Sequence, residues 1–90
     1  MNASLHDLLV SQGYRLVEDA WSDFGRRTYI HDDNATRPYI LNLAATLRPA
    51  GWRVHPAKLR TLKHRSTDEI IEIESGGAAS GHFVHHMRQE

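Results

Sequence analysis

The sequence predicts a small single domain of the α+β class, in which an antiparallel sheet of four to five strands carries two helices packed on one face. Three observations lead to this prediction. The chain has 90 residues, a length that supports one thin hydrophobic core. Apolar residues recur at helical spacing in two segments. In four or five others, alternation or β-branched and aromatic residues indicate strands.

The first helix is predicted over residues 4–12. Ser4 and Asp7 have the Ser-x-x-Asp spacing that is typical of a helix start, and Gly13 stands where a left-handed C-terminal residue is favoured. The apolar face of this helix is expected to comprise Leu5, Leu8 and Leu9.

Two antiparallel strands are predicted next, over residues 14–21 and 26–31. Both segments are rich in aromatic and β-branched residues. The residues between them, 22–25, are expected to form a loop of hairpin length that ends in Gly25.

A second helix is predicted over residues 36–48. Its apolar residues recur at helical spacing, and Pro49 and Gly51 follow where the helix should end. Its apolar face is expected to comprise Ile40, Leu43, Ala44 and Leu47.

The chain then returns to strand patterns. Residues 52–55 alternate, so Trp52 and Val54 are expected to point inward while Arg53 and His55 share the other face. This segment is predicted to be a strand that Pro56 interrupts.

Two further segments complete the sheet in this interpretation. Residues 58–64 fit either a strand or a helical turn, because two leucines stand three positions apart. Residues 69–74 alternate clearly, with Ile71 and Ile73 toward the core and the glutamates toward water.

The predicted domain covers residues 1–75. Residues 76–81 have the composition of a flexible glycine-rich linker, and residues 82–90 are interpreted as a C-terminal tail. The residues expected to be mostly buried are Leu5, Leu8, Leu9, Leu16, Ile30, Ile40, Leu43, Leu47, Val54, Ile71 and Ile73.

Charge is segregated along the chain, although eleven basic and eleven acidic residues balance in total. Residues 1–33 hold three bases and six acids, residues 34–67 seven bases and no acid, and residues 68–90 one base and five acids. A local cluster of cations sets the field near a surface even in a neutral protein. The acid-free segment is therefore the main indication of function.

We expect a small binding or regulatory module whose partner is nucleic acid or another polyanion, bound with little sequence preference through residues 34–67. The alternative is that the three charge blocks lie together and neutralise one another on a mixed surface. The residues predicted to bind the polyanion are Arg53, Lys58, Arg60, Lys63 and Arg65.

Histidine is the second unusual feature, with seven residues in the chain. If the tail were a helix, His82, His85 and His86 would share a face and would be candidate zinc ligands. A remaining ligand would have to come from elsewhere, for example from residues 31–33. Residues 31–34, with the sequence His-Asp-Asp-Asn, also fit a metal-dependent hydrolase, although a turn needs the same residues.

A third class of function is a homo-oligomeric adaptor. In that case Phe83, Val84 and Met87 would pack on a neighbouring subunit, or on the sheet of their own chain. No zinc or other cofactor is required by this alternative or by the polyanion hypothesis. Enzymatic activity is the less favoured expectation.

The composition also bears on the compartment. The chain has no cysteine, which fits a reducing environment. Its longest apolar runs are three residues, too short for a membrane span or a signal-peptide core. A cytoplasmic protein with no membrane partner is expected.

Overall fold

Three helices and six strands follow one another along residues 4–33, 36–75 and 81–88, the part of the chain that the computed structural model describes. One turn of 3-10 helix, Arg48–Ala50, follows the third helix. In chain order the elements are α1 (Leu5–Ser11), β1 (Arg15–Ala20), α2 (Trp21–Phe24), β2 (Arg26–His31), α3 (Thr36–Leu47), β3 (Trp52–Val54), β4 (Thr61–His64), β5 (Glu69–Ser75) and β6 (His82–Arg88).

The helix α1 begins as its sequence predicts. The hydroxyl of Ser4 accepts a hydrogen bond from the backbone N–H of Asp7 over 3.1 Å, which satisfies one of the free donors of the first turn. Leu9 is fully buried, whereas Leu5 and Leu8 are partly buried against the core. The predicted first helix is therefore confirmed.

The loop expected between the first two strands contains a single helical turn, α2. The carboxylate of Asp19 accepts from the backbone N–H of Trp21 over 3.2 Å and so helps to start this turn. Gly25 ends it with a φ of +66°, a left-handed conformation that glycine adopts without steric cost.

The six strands form one antiparallel sheet in the order β1-β2-β6-β5-β4-β3. The α+β class is confirmed, but the sheet has six strands where the sequence predicted four to five. The additional strand is β6, which pairs with β2 on one side and β5 on the other. Residues 82–88, interpreted from sequence as part of a tail, therefore form a central strand. Residues 76–80 of the expected linker lie outside the described part of the chain.

The sequence of β6 lacks the apolar alternation that is typical of a buried strand. Its core-facing positions are His82, Val84 and His86, which are 0%, 0% and 5% exposed. Two of these three residues are polar, so the apolar alternation that marks a buried strand is missing. Both imidazoles are hydrogen-bonded in the interior, which removes most of the cost of burying them.

Both long helices pack on one face of the sheet. The register places Tyr29 opposite Val84, and Val84 opposite Ile73, so these three side chains point to the same side. Leu9 of α1 and Leu43 of α3 belong to the same buried cluster. The core is therefore a single layer between two helices and the sheet.

Most of the residues expected in the core lie there. Val54 does not, because it ends the edge strand β3 and is 63% exposed. It lies opposite Leu62 on the helix-covered face, as expected, but the predicted burial of Val54 is wrong. Its neighbour Trp52 is 4% exposed, as expected. Of the expected core residues, those that are buried are Leu9, Leu43, Leu47, Ile71 and Ile73, and those that are half-buried are Leu5, Leu8, Leu16, Ile30 and Ile40.

The structure resolves the ambiguity over residues 58–64. Residues 58–60 belong to the connection between strands, and Thr61–His64 form β4. No helix in the described ranges is long and apolar enough to span a bilayer.

Candidate functional site

The acid-free segment comprises the helix α3 and, after it, a hairpin at the edge of the sheet. The strands β3 and β4 pair antiparallel, and β3 is an edge strand. The connection closes through a hydrogen bond from the N–H of His55 to the carbonyl of Thr61, 2.8 Å long. The ring Nδ1 of His55 accepts from the N–H groups of Ala57 and Lys58 and orders the turn. We call residues 48–65 the cationic hairpin.

Two cations face each other in the middle of the cationic hairpin. Arg53 and Lys63 are register partners, so their side chains leave the sheet on the same face. This is the face opposite to the one that Trp52 and the helices cover. Directly opposed Cβ atoms lie about 4.5–5.5 Å apart, and like charges in such a pair destabilise the sheet.

Two more arginines lie at the base of the cationic hairpin. The guanidinium of Arg53 donates two hydrogen bonds of 2.8 Å, to the carbonyls of Arg48 and Trp52. The N–H of Arg65 donates to the carbonyl of Gly51 over 2.9 Å, which extends the β3–β4 pairing by one step. Desolvation, with the charges of Arg48 and Arg65, lowers the pKa of Arg53. These arginines are therefore close enough to repel one another.

The tip of the cationic hairpin combines cations with an exposed apolar residue. Leu59 is 90% exposed and stands between Lys58 and Arg60, both also exposed. Arg60 has a φ of +53°, a left-handed conformation that is unfavourable for a residue with a side chain. Its carbonyl accepts from the N–H of Ile73 over 2.9 Å, so the neighbouring strand β5 holds Arg60 in place.

Three of the six acids in residues 1–33 form ion pairs with arginines of the same segment. These three ion pairs involve residues of β1 or β2, which lie at the other edge of the sheet from the cationic hairpin. In the described ranges, no ion pair includes a cation of the hairpin. The three pairs are Arg15 with Asp32, Arg26 with Glu18, and Arg27 with Asp19, at 3.5, 3.0 and 3.1 Å.

The structure places all five predicted polyanion-binding residues on the cationic hairpin or at its end. It brings Arg53, Lys63 and Arg65 together at the middle and base, and it separates Lys58 and Arg60 from them at the tip. Arg48 joins the cluster at the base. Its membership in the acid-free segment was the only sequence signal for it. The side chain of Arg37 lies outside the described part of the chain.

The three histidines considered as zinc ligands do not converge. His82 and His86 lie on the helix-covered face four positions apart, about 13 Å along a strand, whereas His85 points to the opposite face. His85 hydrogen-bonds to Thr28 over 3.0 Å and lies 3.6 Å from the carboxylate of Glu74. Among the described residues, no three potential ligands form a metal-binding group.

The segment considered as a hydrolase site is used as a turn. Nδ1 of His31 accepts from the N–H of Asp33 over 3.0 Å, and Asp32 pairs with Arg15. The hydroxyl of Tyr39 donates to the carboxylate of Asp33 over 3.2 Å. Asn34 lies outside the described residues.

The three apolar residues considered as an oligomer contact lie in β6. Val84 is fully buried in the core of its own chain, whereas Phe83 and Met87 are half-buried on the opposite face of the sheet.

Comparison with known proteins adds no relative. No protein-family model, no curated protein and no solved structure matches the chain.

Proposed function

We propose that the cationic hairpin binds nucleic acid through the phosphate backbone, with little preference for base sequence. The observation that carries this proposal is the direct opposition of Arg53 and Lys63, with Arg48 and Arg65 close to Arg53. Repulsion between these cations lowers the stability of the free protein. A phosphate placed among them relieves that repulsion and releases counterions from the nucleic acid.

The local pairing of acids supports the same proposal. The carboxylates of Glu18, Asp19 and Asp32 are engaged with arginines of β1 and β2. Charge is screened beyond about 8–10 Å at physiological salt, so carboxylates at the other edge of the sheet do little to weaken the field of the cationic hairpin. On the Arg53–Lys63 face itself, Glu72 of β5 is diagonal to Lys63 in the register and offsets part of this field. A chain of zero net charge can in this way present a positive surface.

The shape of the cationic hairpin favours a duplex as the partner. A two-stranded antiparallel ribbon has the dimensions of the major groove, and its cations can then contact phosphates on either side. The exposed Leu59 at the tip adds an apolar contact with sugars or base edges. No helix of the described chain projects base-reading side chains from this surface, so phosphate contacts are expected to dominate.

The test is fluorescence anisotropy with a labelled DNA duplex, a labelled single strand, and polyphosphate as a competitor without grooves. We expect duplex binding that weakens steeply with salt, with each contacting cation adding about 0.7–0.9 to the slope of log affinity against log salt. The variant R60E/K63E is expected to lose most of the affinity. Single strands and polyphosphate are expected to bind more weakly than the duplex.

A matched control is available at the other edge of the sheet. The variant R15E/R26E changes the net charge by the same amount, but its two residues are exposed and paired within the first charge block. It is expected to bind the duplex nearly as well as the parent. The proposal is overturned if the parent does not bind at low salt, or if the two double variants lose affinity equally.

A further inference from the structure

A groove on the opposite side of the sheet from the Arg53–Lys63 pair has a different chemistry. It encloses about 530 Å3, within the range of small-molecule pockets, and lies between α1, the end of α3 and the base of β3 and β4. Its walls combine apolar and polar side chains. The lining residues that matter here are Leu5, Leu8, Pro49, Trp52, His64 and Glu69.

A carboxylate is held in the wall of this groove. Nε2 of His86 donates to Oε1 of Glu69 over 2.6 Å, and the side chain of Glu69 is 26% exposed. Burial lowers the pKa of His86, although Glu69 acts to raise it, so the imidazole is neutral at pH 7. The hydrogen bond therefore orients the carboxylate without neutralising it. Within the described ranges, Oε2 of Glu69 has no hydrogen-bond partner.

In the described part of the chain no arginine or lysine forms an ion pair with Glu69, although Arg88 is its register partner on β6. Both ring nitrogens of His64 are engaged elsewhere, because Nε2 donates to the carbonyl of Ala50 and Nδ1 accepts from the N–H of Ser66. Arg88 donates to the carbonyl of Trp21 and stacks on its indole at 5.0 Å rather than pairing with Glu69.

We propose that this groove binds a small amphipathic amine. The ammonium would donate to Oε2 of Glu69, and the hydrocarbon part would pack against Leu5, Leu8 and Pro49 beside the indole of Trp52. The negative charge of Glu69 disfavours anions, so the groove and the cationic hairpin recognise opposite charges. The site does not depend on nucleic-acid binding.

Two sources can supply this chemistry, a free amine or the amino terminus of a polypeptide. The probes are therefore phenethylamine and a short peptide that begins with phenylalanine. Their controls are 2-phenylethanol, which lacks the charge, and the same peptide with an acetylated amino terminus. Binding is followed by amide shifts in two-dimensional NMR, which also report where each ligand sits.

We expect phenethylamine to shift the amides around the groove and to bind about tenfold or more tightly than 2-phenylethanol, because its hydrogen bond is charge-assisted. Binding of the peptide as well, but not of its acetylated form, would extend the ligand class to polypeptide termini. Binding of the peptide without binding of phenethylamine would overturn the proposal of a small-amine ligand.

Glu69→Gln is the decisive variant, because the amide oxygen can still accept from His86 while the charge is lost. Its affinity for phenethylamine is expected to fall about tenfold. Glu74→Gln is the matched control on the other face of β5, where the carboxylate lies near His85, and should bind like the parent. The proposal is overturned by equal binding of the alcohol, by equal losses in both variants, or by shifts located away from the groove. R60E/K63E should keep amine binding, which separates this site from the cationic hairpin.

Discussion

The hydroxyl of Tyr14 donates a hydrogen bond of 2.6 Å to Nε2 of His82, a residue 68 positions later in the chain. Nδ1 of the same imidazole donates to the backbone carbonyl of Asp33. Both nitrogens of a ring with no exposed surface are therefore satisfied. This bond connects the entry into β1 with the first residue of the central strand β6.

Removal of the Tyr14 hydroxyl is expected to destabilise the fold. In Tyr14→Phe the Nε2 atom of His82 loses its donor inside the core, which should cost about 1–3 kcal/mol in urea unfolding. Tyr39→Phe is the control, because its hydroxyl makes an exposed bond of 3.2 Å to Asp33 and should cost about 0.5 kcal/mol or less. Equal losses of unfolding free energy in both variants would show that the buried hydrogen bond stabilises the fold no more than the exposed one.

The two faces of α3 should respond differently to truncation. Leu43 is 1% exposed, so Leu43→Ala should lower the free energy of unfolding by about 2–5 kcal/mol. Leu41 is 64% exposed in the same helix, so Leu41→Ala should change the free energy of unfolding by less than about 0.5 kcal/mol. A small effect of Leu43→Ala in chemical denaturation would contradict the observed phase of the helix.

Acid should destabilise the protein through His86. Because burial lowers the pKa of this imidazole in the folded state, the unfolded chain takes up its proton at a higher pH. The contribution of His86 to the stability of the fold is present above the pKa of about 6.5 that its imidazole has in the unfolded chain. It is lost as the pH falls from there toward the lower pKa of the folded state. The free energy of unfolding in urea should therefore fall more steeply between about pH 7.5 and 5 in the parent than in His86→Gln. Parallel curves would argue against a neutral buried ring.

The left-handed backbone at Arg60 predicts opposite effects on stability and binding. Glycine adopts a φ of +53° without steric cost, so Arg60→Gly should raise the free energy of unfolding by about 1 kcal/mol. The same change removes a cation and should weaken duplex binding. Lys58→Gly, at a position without positive φ, should weaken binding without the gain in stability. If Arg60→Gly were more stable than the parent but bound the duplex with unchanged affinity, Arg60 would not be part of the binding surface.

Several elements of this fold were predictable because their signals are local. Leu43 and Leu47 recur with the period of a helix, and Ile71 and Ile73 with the period of a strand, so each pattern indicates both the element and its buried face. Packing against any apolar neighbour satisfies such a pattern. The helices α1 and α3 and the strand β5 could therefore be predicted before the partners of those faces were known.

The strand β6 could not be predicted in this way. Two of its core positions are histidines, which resemble exposed residues in any hydrophobic pattern. Their burial depends on Tyr14, Asp33 and Glu69, which come from distant parts of the chain and satisfy the ring nitrogens. Only the tertiary structure brings these partners to the imidazoles.

The sequence by itself determined that positive charge is concentrated between residues 34 and 67, because composition is a local property of the chain. The tertiary structure decided where those charges lie. The register of β3 and β4 sets Arg53 opposite Lys63, the turn isolates Lys58 and Arg60, and pairing of acids with arginines of β1 and β2 occurs at the other edge. The connection over residues 55–60, closed by the hydrogen bond from His55 to Thr61, sets the register of β3 and β4, and the pairing of β4 with β5 sets where the cationic hairpin lies in the sheet.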